Sequence, residues 1–171
     1  TYPHKNHLVL LDAFARVAAQ HPEVTLVLTG GEAASEPEVR ARIARPDLRG
    51  RVERTGRVPA STLEELYRRA SAVVVPSRYE GFGLPVLEAL VRGCPVVASS
   101  AGSLPEVARP EDLVDPDDVT AWAAAMHCVL GLSAPERAER VAAGRQLAAA
   151  FTPGRTAAGL LAAYRQALGH S

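Results

Sequence analysis

The sequence predicts an α/β domain in which helices cover both faces of a doubly wound, Rossmann-like parallel sheet. Short apolar runs rich in branched residues alternate along the chain with segments of helical periodicity, and only short joints separate them. The runs are continuously apolar, which is typical of parallel strands buried on both faces. The predicted strands span residues 24–29, 51–55, 72–75 and 95–99.

Helical periodicity between and after these strands predicts the helices. Leu8, Leu11 and Phe14 repeat at helical spacing within residues 7–20, and Asn6 is the expected N-cap of that helix. Further helices are predicted over residues 37–44, 59–70, 84–92, 117–131, 134–149 and 153–168. With 171 residues, the chain is long enough to form one domain with a full core.

The chain opens with Thr-Tyr-Pro-His-Lys-Asn and runs directly into the first helical pattern, as though a preceding strand were missing. We therefore expect residues 1–171 to be a single domain from a longer protein.

The charge balance excludes some classes of partner. Lys and Arg together number 19, as do Asp and Glu, and the sequence pI is about 6.9. Nucleic-acid binders neutralise many phosphates with clustered cations, so no nucleic-acid partner is expected. Cys94 and Cys128 lack metal-ligand spacing and are interpreted as core residues in a reducing compartment. No apolar run approaches the roughly 20 residues of a membrane span, so we expect a cytoplasmic location, with peripheral membrane attachment of the longer protein left open.

The stretch RYEGFGLPVLEAL, residues 78–90, follows a predicted strand and leads into a helix. In such sheets ligands bind beyond the carboxyl ends of the strands. Gly81 and Gly83 can adopt positive φ, and the free amides of the helix start favour a phosphate. Glu88, one turn further along, suits a diol such as a ribose, while Glu80 faces the group beyond the phosphate. The alternative is an ordinary tight connection with solvated carboxylates.

Several segments resemble one known family in the family's own order. The segment E-G-F-G-L-P-V-L-E-A-L resembles the E-x7-E signature of the retaining glycosyltransferases of family 4, which have the two-domain GT-B fold. Pro3-His4-Lys5-Asn6 is similar to the family's P-x-K-N, and Gly56-Arg57-Val58 to its G-x-V turn. The similar segments cover roughly residues 3 to 118, and the chain looks like the C-terminal, donor-binding half of such an enzyme.

The resemblance implies a role for each matching residue. Lys5 would contact the diphosphate of a nucleotide-sugar donor, Glu80 the hydroxyls of the transferred sugar, and Glu88 the ribose. Glu80 is not expected to be a nucleophile, because binding sugar hydroxyls already accounts for its charge. The remaining donor-binding positions would be Gly81, Phe82, Gly83 and Leu84, around the phosphate and sugar, and Arg57 and Val58, beside the base.

The implied reaction is the transfer of a sugar with retained configuration, without a metal or another cofactor. Asp115-Pro116-Asp117 formally matches a metal-binding D-x-D pattern, but its position before a predicted helix favours a capping turn. A sugar, lipid or small-molecule acceptor would bind through an N-terminal domain absent from this sequence, and helix 153–168 would pack toward that domain. The isolated chain is therefore expected to bind donor weakly and to transfer nothing.

Two other functions remain open. An enzyme of the same fold could catalyse a different reaction, as a sugar-nucleotide epimerase or a phosphorylase does. A nucleotide-sugar-binding module without catalytic activity would also carry these motifs.

Overall fold

The computed structural model describes residues 1–169. The strands are β1 (Leu26–Thr29), β2 (Val52–Gly56), β3 (Val73–Val75), β4 (Val96–Ser99) and β5 (Leu113–Val114). The α-helices are α1 (His7–Gln20), α2 (Glu36–Ile43), α3 (Ala60–Arg69), α4 (Leu84–Val91), α5 (Leu104–Val107), α6 (Val119–Leu130), α7 (Ala134–Ala148) and α8 (Pro153–Ala167). Two short 3₁₀ turns complete the chain, Pro3–Lys5 and Pro110–Asp112.

All strand pairs are parallel, as predicted. β1 pairs with β2, and β3, β4 and β5 form a second sheet in that order. β4 has a neighbour along each edge and is buried over its whole length. β1 and β3 each pair along one edge and remain partly accessible, although their sequences are just as apolar.

The buried apolar residues form two clusters, and the first contains residues of both sheets. Leu28 of β1 and Val97 of β4 join the same buried cluster, which α1 and α6 complete with fully buried Leu11 and Trp122. A second cluster contains Val86 of α4 and Val107 of α5. This second cluster fixes the carboxyl-terminal edge of β3 and β4, where the motif of residues 78–90 lies.

The predicted helices and strands are all present, with shifts of a few residues at their ends. α5 and β5 were not predicted, because four and two residues are too short for a recognisable periodicity. The Asp-Pro turn does precede α6: Asp115 Oδ1 accepts a hydrogen bond from the Asp117 amide, and Asp118 Oδ1 caps α6 by accepting from the amides of Thr120 and Ala121.

Asn6 occupies the N-cap of α1 as predicted, but its side chain makes no capping hydrogen bond: its backbone is left-handed, and Nδ2 donates to the carbonyl oxygen of Pro116 at 2.7 Å. That bond ties the first turn to the loop before α6. The expectation that Cys128 is a core residue was wrong: it is exposed on α6, because other residues form the buried face of that helix, whereas Cys94 is buried as expected. Burial raises the pKa of the Cys94 thiol to about 11.

Helix α8 differs from the others because every residue from 152 to 169 is exposed. Its exposed apolar residues include Leu160, Leu161 and Tyr164. The expectation that this helix packs toward another domain stays a prediction. Within residues 1–169, no helix is both long and apolar enough to cross a membrane.

Candidate functional site

The motif occupies the loop between β3 and α4, beside the turn that follows β4. Parallel pairing of β3 and β4 places their carboxyl ends at the same edge of the sheet. Gly83 stands at the N-cap of α4, and Pro85 lies in the first turn, where its missing amide hydrogen leaves no bond unmade. The Val86 amide donates to the Gly83 carbonyl oxygen at 3.0 Å, so among the described residues the Leu84 amide is the free donor of this first turn.

Gly83 is required by the packing of α5. Its φ is 91°, and a Cβ there would lie 2.7 Å from Cγ2 of Val107 and 3.0 Å from Cδ2 of Leu104. Gly81 is different: it does not adopt positive φ, and a Cβ there would meet nothing within 4 Å. Of the two glycines that could adopt positive φ, only Gly83 does so.

Lys5 and Glu80 are brought together. The backbone amide of Arg78 donates to the carbonyl oxygen of His4 at 2.8 Å, which fixes the Pro3–Lys5 turn against the motif loop. Lys5 Nζ then lies 2.7 Å from Glu80 Oε1, and the buried Ser77 hydroxyl donates to the same oxygen at 2.7 Å. The Glu80 side chain is 12% exposed and that of Lys5 35% exposed. A ligand can therefore reach the lysine more easily than the carboxylate.

The turn after β4 holds the backbone of Glu80. Ser103 Oγ donates to the carbonyl oxygen of Glu80 at 2.9 Å, and a Cβ at Gly102 would lie 3.2 Å from the Glu80 amide nitrogen. The sequence analysis did not identify Ser77 or Ser103 as contributors to the site. Their contacts depend on the approach of two loops, for which no local pattern exists.

Glu88 is held from the neighbouring helix α3. Tyr67 Oη donates to Glu88 Oε2 at 2.9 Å. The Arg92 guanidinium lies 5.0 Å from the centre of the Tyr67 ring, and Nη1 of Arg92 donates to the backbone carbonyl of Glu88 at 2.9 Å. Burial, followed by the hydrogen bond to Glu88, raises the pKa of Tyr67 well above its usual range, so the hydroxyl stays protonated. The sequence analysis also missed Tyr67.

Phe82, Leu84 and Glu88 line a groove of about 570 Å³ between α4 and the start of α8. Phe82 and Leu84 are exposed, and the Phe82 ring meets the edge of Phe151 at a centroid distance of 5.9 Å. The predicted residues thus form two groups along one loop and helix, Lys5 with Glu80 and Phe82 with Leu84 and Glu88. Among residues 1–169, no hydrogen bond or ion pair joins Lys5 to Glu88.

Arg57 and Val58 follow the carboxyl end of β2, in the other sheet. Gly56 ends that strand with a φ of 69°, and the exposed Arg57 side chain lies over Gly31, where a Cβ would be 3.1 Å from Arg57 Nε. These residues therefore lie at the carboxyl-terminal edge of the β1–β2 sheet. Their contact with a base stays a prediction.

The aspartates of the D-x-D pattern have other partners. Asp117 forms an ion pair with Arg78 at 2.5 Å, and Asp115 accepts from the Asp117 amide. In the described part of the chain, no group of three or more His, Cys, Asp or Glu residues could hold a metal ion.

Comparison with known proteins identifies relatives of this chain. The chain is 40% identical over 124 residues to O-antigen chain mannosyltransferase B of Escherichia coli, a match that covers 71% of this chain and 32% of that protein. Among solved structures, sucrose-phosphate synthase from Thermosynechococcus elongatus matches with a TM-score of 0.77 and 30% identity, over 99% of this chain and 44% of that one. HepE of Anabaena, solved in complex with UDP-glucose, matches with a TM-score of 0.75 and 25% identity, over 86% of this chain and 41% of that one.

This chain spans less than half the length of each of these proteins. The structural matches confirm the predicted Rossmann-like fold, the C-terminal half of a GT-B architecture. The family described as glycosyl transferases group 1 matches residues 1–131, which is most of the chain. The chain therefore belongs to the group 1 glycosyl transferases.

Proposed function

We propose that this chain binds the nucleoside-diphosphate-sugar donor of a glycosyltransferase, and that the longer protein transfers the sugar with retained configuration and without a metal. The observation that carries the proposal is the Lys5–Glu80 ion pair beside the start of α4. The cation and the carboxylate can bind a phosphate and the hydroxyls of an attached sugar, and the Leu84 amide at the start of α4 adds a free donor for the phosphate. The related HepE structure, which contains UDP-glucose, supports a nucleotide-sugar donor.

Each residue has a task in this proposal. The leaving diphosphate gains negative charge during transfer, and Lys5 stabilises that charge together with the Leu84 amide and the positive end of the α4 dipole. Glu80, held by Ser77 and Ser103, accepts hydrogen bonds from the hydroxyls of the sugar. Glu88 accepts from the ribose hydroxyls. The finer assignment to family 4 forms part of the same proposal.

Lys5 is suited to this task because it can exchange partners. It is the only lysine in the chain; the other 18 of its 19 Lys and Arg residues are arginines. An ammonium group is a compact charge on a flexible stem, whereas arginine holds a fixed bidentate geometry. Lys5 can therefore turn from Glu80 to a phosphate when donor arrives, which leaves Glu80 able to accept from the sugar.

Calorimetric titration with UDP-, GDP- and ADP-sugars tests the proposal. We expect one of these donors to bind, Glu88→Ala to weaken its binding about tenfold, and Lys5→Ala to weaken it while reducing its dependence on salt. Glu38→Gln, on the exposed face of α2, is the matched control and should bind as the parent does. Unchanged affinity in both Lys5→Ala and Glu88→Ala would refute the proposal.

Transfer itself is tested with the longer protein. Product analysis should show the anomeric configuration of the donor retained, and activity should persist in the presence of EDTA. Inverted product or loss of turnover with the chelator would contradict those two parts of the proposal. Donor binding without transfer or hydrolysis would favour a non-catalytic module.

A further inference from the structure

We propose that Tyr67 is a positioning residue that orients the carboxylate of Glu88 toward the two ribose hydroxyls of the donor. This inference rests on the proposed function, which gives Glu88 the ribose. It adds a residue from a different helix, 21 positions earlier in the chain, that no motif of the family resemblance contains.

The Tyr67 hydroxyl is in a fixed position. Tyr67 lies in the last turn of α3, is 8% exposed and belongs to the buried cluster that also contains Val86 of α4. Packing therefore fixes its ring, and the hydroxyl extends to Glu88 Oε2 at 2.9 Å. A rigid phenol with its oxygen at the edge of a core is a better anchor than a flexible side chain, since little conformational freedom remains to be lost.

Arg92 covers the other side of the same ring. Its guanidinium lies 5.0 Å from the ring centre, its Nε donates to Glu64 Oε2 at 2.6 Å on α3, and its Nη1 donates to the Glu88 carbonyl. The arginine thus links α3 to α4 at the turn that carries Glu88. The ring is held on one side by the core and on the other by a cation.

This arrangement leaves acceptor capacity on the carboxylate for a ligand, because each carboxylate oxygen can accept two hydrogen bonds. Oε2 of Glu88 accepts from Tyr67, and within residues 1–169 Oε1 accepts no hydrogen bond. The terminal torsion of a glutamate is otherwise broad, so an unanchored carboxylate would rotate. Fixing Oε2 removes that rotation before the donor binds. Two adjacent ribose hydroxyls can then donate to a carboxylate that is already oriented, which lowers the ordering cost of binding.

The Tyr67 hydroxyl stays protonated over the working range of pH. Because burial and Glu88 both raise the pKa of Tyr67, the phenol keeps its proton and donates to the carboxylate throughout. The bond also has the strength of a hydrogen bond to a charged acceptor. Tyr67 makes no contact with the donor in this proposal, so its effect passes entirely through Glu88.

The test compares a nucleotide that has ribose hydroxyls with one that lacks them. Among UDP, GDP and ADP, the diphosphate that binds the parent chain best is titrated beside its 2′,3′-dideoxy analogue. We expect Tyr67→Phe to weaken binding of the ribose nucleotide about fivefold to tenfold and to leave the affinity for the dideoxy analogue unchanged. Tyr164→Phe, on the exposed surface of α8, is the matched control and should alter neither affinity.

If Tyr67 had only a structural role, Tyr67→Phe would weaken the binding of both nucleotides equally, and that result would overturn the inference. So would an unchanged affinity for the ribose nucleotide. In a Glu88→Ala background, Tyr67→Phe should have no further effect, because its target is absent. If Tyr67→Phe reduced the affinity of the Glu88→Ala variant for the ribose nucleotide as much as it reduces that of the parent, the inference would also be overturned.

The two proposals fail in distinguishable ways. If none of the three diphosphates binds, or if Glu88→Ala leaves the preference for ribose over dideoxyribose intact, the proposed role of Glu88 fails and this inference fails with it. If Glu88→Ala removes that preference while Tyr67→Phe preserves it, only the role of Tyr67 is wrong.

Discussion

Gly81 and Gly83 are separated by one residue, yet they differ in what the fold requires of them. Gly83 combines a left-handed backbone with close contact to Val107 and Leu104, while Gly81 has neither constraint. The first glycine of the motif is thus free to serve a ligand, and the second is needed for α4 to begin against α5. Sequence spacing alone could not separate these two roles.

The two glycines give a matched pair of substitutions. Gly83→Ala should destabilise the domain by about 2–4 kcal/mol, because a Cβ at positive φ and an overpacked contact each cost about 1–2 kcal/mol. Gly81→Ala should change the free energy of unfolding by less than about 1 kcal/mol. Urea unfolding of both variants measures the difference. Equal losses of stability in the two variants would contradict this account.

The partners of Glu80 and Glu88 also belong to the residue scale. Lys5 could be identified from the sequence because it matched a family motif, although it lies 75 positions from Glu80. Ser77, Ser103 and Tyr67 could not, since a serine in a loop and a tyrosine on an amphipathic helix are ordinary in those places. Their roles depend on which loop or helix each one meets.

At the scale of elements, α8 is a helix that the domain does not cover. Its Pro153–Ala167 span was predicted almost to the residue from alanine content and helical periodicity. Periodicity predicts an apolar face but does not identify what covers it. Here Leu160, Leu161 and Tyr164 of that face remain exposed, along with the rest of the helix.

A chain that ends at Thr152 tests the independence of α8. Because every α8 residue is exposed, its removal should change the free energy of unfolding by less than about 0.5 kcal/mol, while the helical circular dichroism signal should fall. Phe151 and its contact with Phe82 stay in place. Thermal unfolding of the two chains makes the comparison. A large drop in midpoint would mean that α8 stabilises the domain through contacts in solution.

At the scale of the whole molecule, stability should depend on pH through one partly buried histidine. Burial lowers the pKa of His7 from 6.5 to about 4, and the charge of Arg54 acts in the same direction. Its Nδ1 is buried and has no hydrogen-bond partner among the described residues. Between pH 4 and 6.5, His7 therefore binds a proton in the unfolded chain but not in the folded protein.

The free energy of unfolding should be highest above pH 6.5 and should fall by about 1–3 kcal/mol as the pH drops from 6.5 to 4. In that window the unfolded chain binds a proton at His7 that the folded protein does not. His7→Gln should flatten this part of the profile, and His4→Gln, at an exposed position, should leave it unchanged. Urea midpoints across the pH range measure both. If His7→Gln kept the pH dependence of the parent's free energy of unfolding, another group would be responsible for it.

The sequence by itself determined the parallel α/β class, the order and approximate bounds of the longer elements, and the loop-to-helix geometry of the motif. Periodicity, proline at a helix start and glycine at a cap are local properties, and residues adjacent in sequence already contain them. It also identified Lys5, Glu80 and Glu88 as candidates.

Only the tertiary structure decided how those candidates are held. It paired Lys5 with Glu80, attached Glu88 to Tyr67, turned Asn6 toward Pro116, and placed β5 beside β4. The physical reason is that each of these contacts joins segments distant in sequence. Such contacts arise from packing around the shared core, where the side chain of one element meets whatever the neighbouring element presents.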